Sequence, residues 1–244
     1  MQNPSSSPPS GTTPGTLYGI GVGPGDPELI TVKALKCLQS APVIAFPSGR
    51  DGNPGTAERI IEPWLLPTQQ RLPLHFPYVL NPQQLASAWQ QAAVTVWPYL
   101  QVGNVVFACE GDVSFYGTFT YLAQNLQQQH PEVKVEAIAG VSSPMAAAAA
   151  LGIPLTCQSQ RLTVLPALYT LQDLESALNN AEIIVLMKVS SVYAQIWKIL
   201  AARNLLTNSY VIENATRPEQ KIYTHLQNHP DLKLPYFSLL IVQT

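Results

Sequence analysis

Short apolar runs rich in β-branched residues recur along this chain, and each is followed by a stretch of helical character. That alternation restricts the fold to the α/β class. Strands separated by helix-length connections pair in parallel through right-handed crossovers. In the first half the strands are Leu17 to Val22, Val43 to Phe46, Leu72 to Phe76, Val105 to Cys109 and Val133 to Ile138. The run from Leu72 is interrupted by prolines and is the weakest of them. Helices fill Leu29 to Leu38, Ala57 to Leu65, Gln83 to Tyr99 and Phe119 to Gln128. The third opens on Asn81-Pro82, a cap followed by proline in the first turn. The second half repeats the alternation, with strands at Leu162 to Leu165, Ile183 to Met187 and Tyr210 to Ile212. Its helices are Met145 to Leu151, Leu171 to Asn179 and Val192 to Ala202, and Phe237 to Val242 is a last strand at a sheet edge. The pattern predicts two α/β domains, residues 16–143 and 144–244. They follow a disordered tail over residues 1–15 that is rich in Ser, Pro, Gly and Thr.

Composition narrows the partners. Hydrophobic residues make up 46% and charged residues 11%, so the surface leans on Gln, Asn, Ser and Thr. A net charge of −2 without basic runs argues against a nucleic-acid partner held through phosphates. No apolar stretch approaches the ~20 residues of a membrane span. The start of the chain lacks the charged and apolar regions of a signal peptide. These features predict a cytoplasmic protein with no membrane partner. Cys37, Cys109 and Cys157 share no metal spacing and read as buried free thiols of a reducing compartment. His225 and His229 lie four apart with no acid beside them and read as a surface pair, so no metal site is predicted.

Three loops carry the chemistry. The first, Gly19-Ile20-Gly21-Val22-Gly23-Pro24-Gly25-Asp26, has glycines that let a backbone turn sharply and approach a ligand. It fails the dinucleotide fingerprint: the sixth position is Pro24 or Asp26 where glycine is required, and the second strand ends Ala45-Phe46-Pro47 without an acid. The plain alternative is a tight turn, with Asp26 capping the next helix and Pro27 in its first turn. The second loop, Glu110 to Gly117, joins a strand end to a helix start, the edge where open α/β sheets bind ligands. Two carboxylates there suit a cationic or hydrogen-bond-donating ligand and not a phosphate. Phe115 and Tyr116 are placed to flank a flat ring. Alternatively, Asp112 or Ser114 caps the helix and both aromatics enter the core. In the third loop, Gly140-Val141-Ser142-Ser143-Pro144, the hydroxyls either bind a ligand or cap the helix that follows.

The ordered set Gly21-Val22-Gly23-Pro24-Gly25-Asp26-Pro27-Glu28-Leu29-Ile30-Thr31, Glu110-Gly111-Asp112 and Gly140-Val141-Ser142-Ser143 resembles the tetrapyrrole (corrin/porphyrin) methyltransferases. The likeness runs from about Thr16 onward. Phe115 to Leu122, Val185 to Val189 and Pro235 to Val242 are most similar to those members that methylate the C-20 meso carbon of precorrin-2 or cobalt-precorrin-2 in cobalamin biosynthesis. The resemblance implies two α/β domains with S-adenosylmethionine in a cleft between them, in a homodimer. It implies cofactor contacts at Pro24, Gly111, Asp112, Phe115, Ser142, Ser143, Met187 and Ala215. Glu110, Asp112 and Tyr116 are the candidates for placing the methyl donor or accepting the meso proton. Arg50, Arg71, Lys188 and Arg217 are the cations available for the substrate carboxylates. Two departures bear on loop stiffness: Val113 stands where the family has proline, which would fix φ, and Ala139 stands where it commonly has proline. A related tetrapyrrole or ribosomal RNA methylase, a non-catalytic S-adenosylmethionine-binding module and an unrelated nucleotide enzyme are the alternatives. The failed fingerprint counts against the last, and the acidic balance counts against RNA.

Overall fold

The computed structural model describes residues 13–49, 53–77, 81–167 and 170–244. Most of the predicted tail, residues 1–12, lies outside these, as do Arg50 and Asp51. Chain contacts divide the molecule into two units. One comprises the described residues up to Val22 together with Ile30–Gly140, and the other comprises Gly23–Leu29 together with Val141–Thr244.

The first unit holds strands β1 (Leu17–Gly21), β2 (Val43–Pro47), β3 (Gln70–Leu74), β4 (Val105–Cys109) and β5 (Val135–Ile138). All pair in parallel, in the order β3-β2-β4-β1-β5. Strand β4 lies at the centre and all five of its residues are buried, as a strand covered on both faces requires. The edge position of β3 accounts for its proline: Pro73 interrupts a ladder only where one side is unpaired. Helices α1 (Val32–Ser40) and α2 (Thr56–Ile61) bury Ala34, Leu38, Ile60 and Ile61 against Ile20, Ile44, Val106 and Ala108. Helices α3 (Pro82–Leu100) and α4 (Phe119–Gln129) cover the other face, where Val96, Leu100, Leu122 and Leu126 meet Leu17, Val105 and Phe107. Asn81 caps α3, its side-chain oxygen accepting from the Gln84 N–H at 2.9 Å. Helix α1 starts later than its apolar pattern predicts. Pro27–Leu29 forms a separate 3-10 turn, and Thr31 caps α1 through a 3.2 Å bond from the Ala34 N–H.

The connection leaving β1 runs to one face of the sheet and the connection leaving β4 runs to the other. These neighbouring strands therefore form the switch point at which a doubly wound sheet opens a crevice beyond its strand ends.

The second unit holds α5 (Ser143–Leu151), β6 (Leu162–Leu165), α6 (Leu171–Asn180), β7 (Ile183–Met187), α7 (Tyr193–Ala202), β8 (Ser209–Glu213), β9 (Lys221–Tyr223) and β10 (Ser238–Gln243). Its sheet is mixed, ordered β6-β7-β10-β8-β9, with β10 antiparallel to both neighbours. This corrects two expectations. Strand β10 is the central strand and not an edge, which explains why Ser238 to Val242 are all buried. Strand β9 is an additional antiparallel edge in a segment that carries no apolar run. Helices α6 and α7 pack Leu174, Leu178, Ile196 and Leu200 on one face, against Ile184, Leu186 and Leu240. Helix α5 sets Ala147 on the other, against Val185, Ile212, Ala215 and Leu239.

The cysteines also depart from expectation. All three are free, but only Cys109 is buried; Cys37 is half-buried and Cys157 is exposed in the loop that leads to β6. Burial pushes the Cys109 thiol up to about 11, so it stays protonated at neutral pH.

The central position of β10 carries a test. Leu240 is wholly buried, so Leu240→Ala is expected to destabilise the protein by about 2–5 kcal/mol. Urea denaturation followed by circular dichroism reads this directly, and a loss below about 1 kcal/mol would return β10 to an edge.

Candidate functional site

In the first unit, three backbone segments converge at the C-terminal ends of β1, β4 and β5. A Cβ at Gly21 would lie 2.6 Å from Gly140 Cα and 2.7 Å from the Gly111 carbonyl oxygen. A Cβ at Gly140 would lie 2.4 Å from that same oxygen. Both glycines are therefore required by the approach of one backbone to another. Gly111 supplies the turn, with φ of 71°. Hydrogen bonds tie the segments: Val22 N–H donates to the Cys109 carbonyl at 2.9 Å, and Thr31 Oγ1 donates to the Ala139 carbonyl at 3.2 Å.

Asp112 is the clasp among them. Its Oδ2 accepts from the Gly140 N–H at 2.8 Å, while Oδ1 accepts from the Ser114 N–H at 2.9 Å and the Ser114 hydroxyl at 2.6 Å. Partial burial alone would raise the pKa of this carboxyl. The bonds from Ser114, Gly140 and Phe115 outweigh it and hold the pKa below the usual carboxylate range. Asp112 is thus an ionised group that organises its own loop and the one after β5. It does not cap α4, whose N-cap residue Thr118 has no side-chain bond. Nor do the neighbouring aromatics enter the core: Phe115 is half-buried and Tyr116 is exposed, with the rings 4.7 Å apart edge to face. Tyr116 holds a left-handed backbone, φ 53°. Glu110 stands at the end of β4, partly exposed. Val113, in place of the family's proline, is buried within the core formed with α3 and α4. Side-chain burial there supplies an anchor that the missing ring would otherwise give.

In the second unit, the segment containing Pro24 packs on the loop after β8. Arg217 Nε donates to the Pro24 carbonyl at 3.3 Å, and the Asp26 N–H donates to Thr216 Oγ1 at 3.1 Å. Asp26 also caps the short turn after it, accepting from the Glu28 N–H at 2.9 Å. Strands β7 and β8 end where β10 begins, so Met187 and Ala215 lie at one edge of this sheet. Both belong to the apolar face that α5 covers. Ser142 and Ser143 open α5 without a side-chain cap, leaving first-turn N–H donors unsatisfied by their own helix.

Residue-type reasoning alone does not find the backbone strain here. Lys188, Asn214 and Thr216 have φ of 54°, 49° and 66°. Left-handed geometry is unusual for a β-branched residue such as Thr216. It is held by the Thr216 N–H bond to Gln220 Oε1 at 2.7 Å and by the Asp26 contact. Strain maintained in this way concentrates at functional loops. Glu213, just before this loop, is a buried carboxylate that accepts from the Tyr223 hydroxyl at 2.9 Å. Among the candidate cations, Arg71 is committed to Glu62 through bonds of 2.8 and 3.0 Å and sits early in β3, away from the strand ends that carry the loops. Arg217 rests over the Phe237 ring, 4.1 Å from its centroid, and Lys188 lies over Tyr236 at 5.7 Å. Arg50 lies outside the described residues.

Residues 16–228 match the family model of the Tetrapyrrole (Corrin/Porphyrin) Methylases. The chain is 33% identical over 242 residues to the precorrin-2 C(20)-methyltransferase of Sinorhizobium sp, covering 96% of this chain and 97% of that protein. It is 32% identical to the cobalt-precorrin-2 C(20)-methyltransferase of Salmonella typhimurium, covering 93% and 96%. It is also 33% identical to the cobalamin biosynthesis protein CobIJ of Mycobacterium tuberculosis. There the match takes in 93% of this chain but 46% of the relative, so the chain spans about half the length of CobIJ. Among solved structures, uroporphyrin III C-methyl transferase from Thermus thermophilus shares the fold. It has a TM-score of 0.67 at 21% identity, covering 94% of this chain and 97% of that one.

The clasp has a pH signature. An Asp carboxyl titrates near 3.9 when unfolded and lower in the folded protein. Its contribution to stability is full above the unfolded value and is lost as pH falls through the folded one. The stability gap between wild type and Asp112→Asn, taken from urea midpoints, is expected to hold steady between about pH 7 and 5 and to shrink below about pH 4. A gap of equal size at about pH 3 and pH 7 would separate the clasp from the carboxylate charge.

Proposed function

The chain belongs to the tetrapyrrole (corrin/porphyrin) methylases, and on that premise we propose that it transfers a methyl group from S-adenosylmethionine to the C-20 meso carbon of precorrin-2 or cobalt-precorrin-2 in cobalamin biosynthesis. The observation that carries this reading is the end-to-end identity, at about one third, with two proteins named for that position of that ring. The organisation of the loops after β1, β4 and β8 supports it.

The residues fit the methyl donor on chemical grounds. The loops lack the fingerprint of a dinucleotide site. The second unit offers the uncapped N–H groups opening α5 at Ser142 and Ser143, the apolar surfaces of Met187 and Ala215, and the backbone at Pro24; the first unit offers the backbone at Gly111. Phe115 adds a half-buried aromatic face, and Asp112 an ionised carboxylate. Bound S-adenosylmethionine supplies an electrophilic sulfonium methyl.

The protein's own contribution is alignment, which can lower a barrier by as much as ~7–11 kcal/mol. Asp112 acts by holding the loop after β4 against Gly140, so that Gly111 and Phe115 are in place before the ligand arrives. Tyr116, exposed and fixed in a left-handed conformation, presents its ring to the tetrapyrrole. Its role is positioning, through the ring face that it exposes. Glu110, at the end of β4, is the candidate that accepts the meso proton. Homodimeric assembly and a cytoplasmic location complete the proposal, with no nucleic-acid partner. The net charge of −2 is in keeping with the last point. Among the described residues no helix is long and apolar enough to cross a membrane.

The test is incubation with methyl-labelled S-adenosylmethionine and precorrin-2, with and without inserted cobalt. Label is expected in the tetrapyrrole at C-20. Donor binding without label in either ring would leave a non-catalytic binding module, and label at another ring position would move the protein to a different member of the family. In the same assay Tyr116→Phe is expected to retain rate within about fivefold, since only a hydroxyl is lost, while Tyr116→Ala falls by about tenfold or more.

A further inference from the structure

We propose that Lys188 is a specificity-determining residue that binds a peripheral carboxylate of the tetrapyrrole, with the Tyr236 ring beneath it as a platform for the macrocycle; this rests on the substrate class assigned above. Lys188 directly follows Met187, the last residue of β7. Its backbone is left-handed, φ 54° and ψ 43°, a conformation disfavoured for any residue bearing a Cβ. The conformation is imposed from both sides. Met187 is registered against Leu239 of the central strand, and Val189 is wholly buried, with the turn closed by the Val192 N–H on the Val189 carbonyl at 3.1 Å. A strained residue between two fixed anchors directs its side chain reproducibly, and here the side chain is directed outward.

What it carries is a cation without an anion. Arg71, Lys134, Arg161 and Arg203 are each matched with a glutamate. Among the described residues Lys188 has no carboxylate partner, and its ammonium lies 5.7 Å over the Tyr236 ring, whose residue is 45% exposed. An ammonium above an aromatic face pairs a site for an anion with a flat apolar surface. Tyr236 is itself braced edge to face by Phe237 at 5.1 Å, and Arg217 covers Phe237. A flat conjugated ring edged with carboxylates matches that pairing. An aliphatic phosphate has no use for the aromatic, a neutral planar ligand has none for the ammonium, and the failed dinucleotide fingerprint counts against a nucleotide.

The experiment compares wild type, Lys188→Met and Lys188→Arg in steady-state methyl transfer, with S-adenosylhomocysteine affinity measured by calorimetry. Lys188→Met is expected to raise the KM for the tetrapyrrole about tenfold, the size of one charge-assisted contact. It should leave kcat within about twofold and S-adenosylhomocysteine affinity unchanged, which also reports an intact fold. Lys188→Arg should recover most of the loss, and the KM of Lys188→Met should lose sensitivity to salt. An unchanged KM in Lys188→Met overturns the inference while leaving the proposed reaction standing.

If the wild-type protein methylates neither ring, the proposed reaction falls and binding decides the inference separately. Quenching of the four tryptophans then follows titration with a porphyrin octacarboxylate and with its methyl ester. Preference for the free acid that disappears in Lys188→Met sustains the role of Lys188. Equal binding of acid and ester, equal binding by wild type and variant, or no binding overturns it.

Discussion

The candidate site rests on how closely three backbones approach at the strand ends of the first unit. Gly21 and Gly140 leave no room for a side chain on either, and the Gly111 carbonyl closes on both. An approach this tight between polar backbones needs something to hold it, and the Asp112 carboxylate does so by spanning from its own loop to the Gly140 N–H. With Val113 buried beneath it, the loop after β4 is anchored from two directions. Gly111, Phe115 and Tyr116 take their positions from that anchorage, whatever binds there.

This places Asp112 in a different light from the one its chemistry first suggests. A carboxylate in a Gly-rich loop at a strand end reads as a ligand for a cation. Here the carboxylate accepts from Ser114 and Gly140 within the protein, and those bonds favour the ionised form. Low pKa and loop position therefore arise from the way Asp112 organises the two loops. The second unit uses the same economy. Thr216 spends its hydroxyl and its N–H on holding a strained turn, and Ala215 beside it is presented without a functional group of its own.

Much of the fold was legible from periodicity. Val105 to Cys109, Leu162 to Leu165 and Ile183 to Met187 coincide with strands residue for residue, because a short apolar β-branched run between polar loops has few other uses. The place of β10 in its sheet was not legible from its position at the end of the chain, since strand order depends on pairing between distant segments. The unbroken apolar run Leu239 to Val242 was the available signal, since a strand covered on both faces requires one. Strand β9 escaped because an edge strand of three residues, Lys-Ile-Tyr, needs no apolar run. The start of α1 was displaced because Asp26 and Thr31 both cap, and the first closes a separate 3-10 turn. At the site, the loops were visible as motifs, but their glycines serve backbone packing. The left-handed Tyr116, Lys188 and Thr216 carry no signature in residue type, because strain of this kind is imposed by surroundings.

The central physical claim is that the loop after β4 is clasped to the loop after β5 before any ligand binds. Amide hydrogen exchange at Gly140 in the ligand-free protein tests it most directly. The account predicts that this N–H is protected in wild type and exchanges at least about tenfold faster in Asp112→Ala, with core amides of β4 unaffected. Equal, fast exchange at Gly140 in both proteins would contradict it.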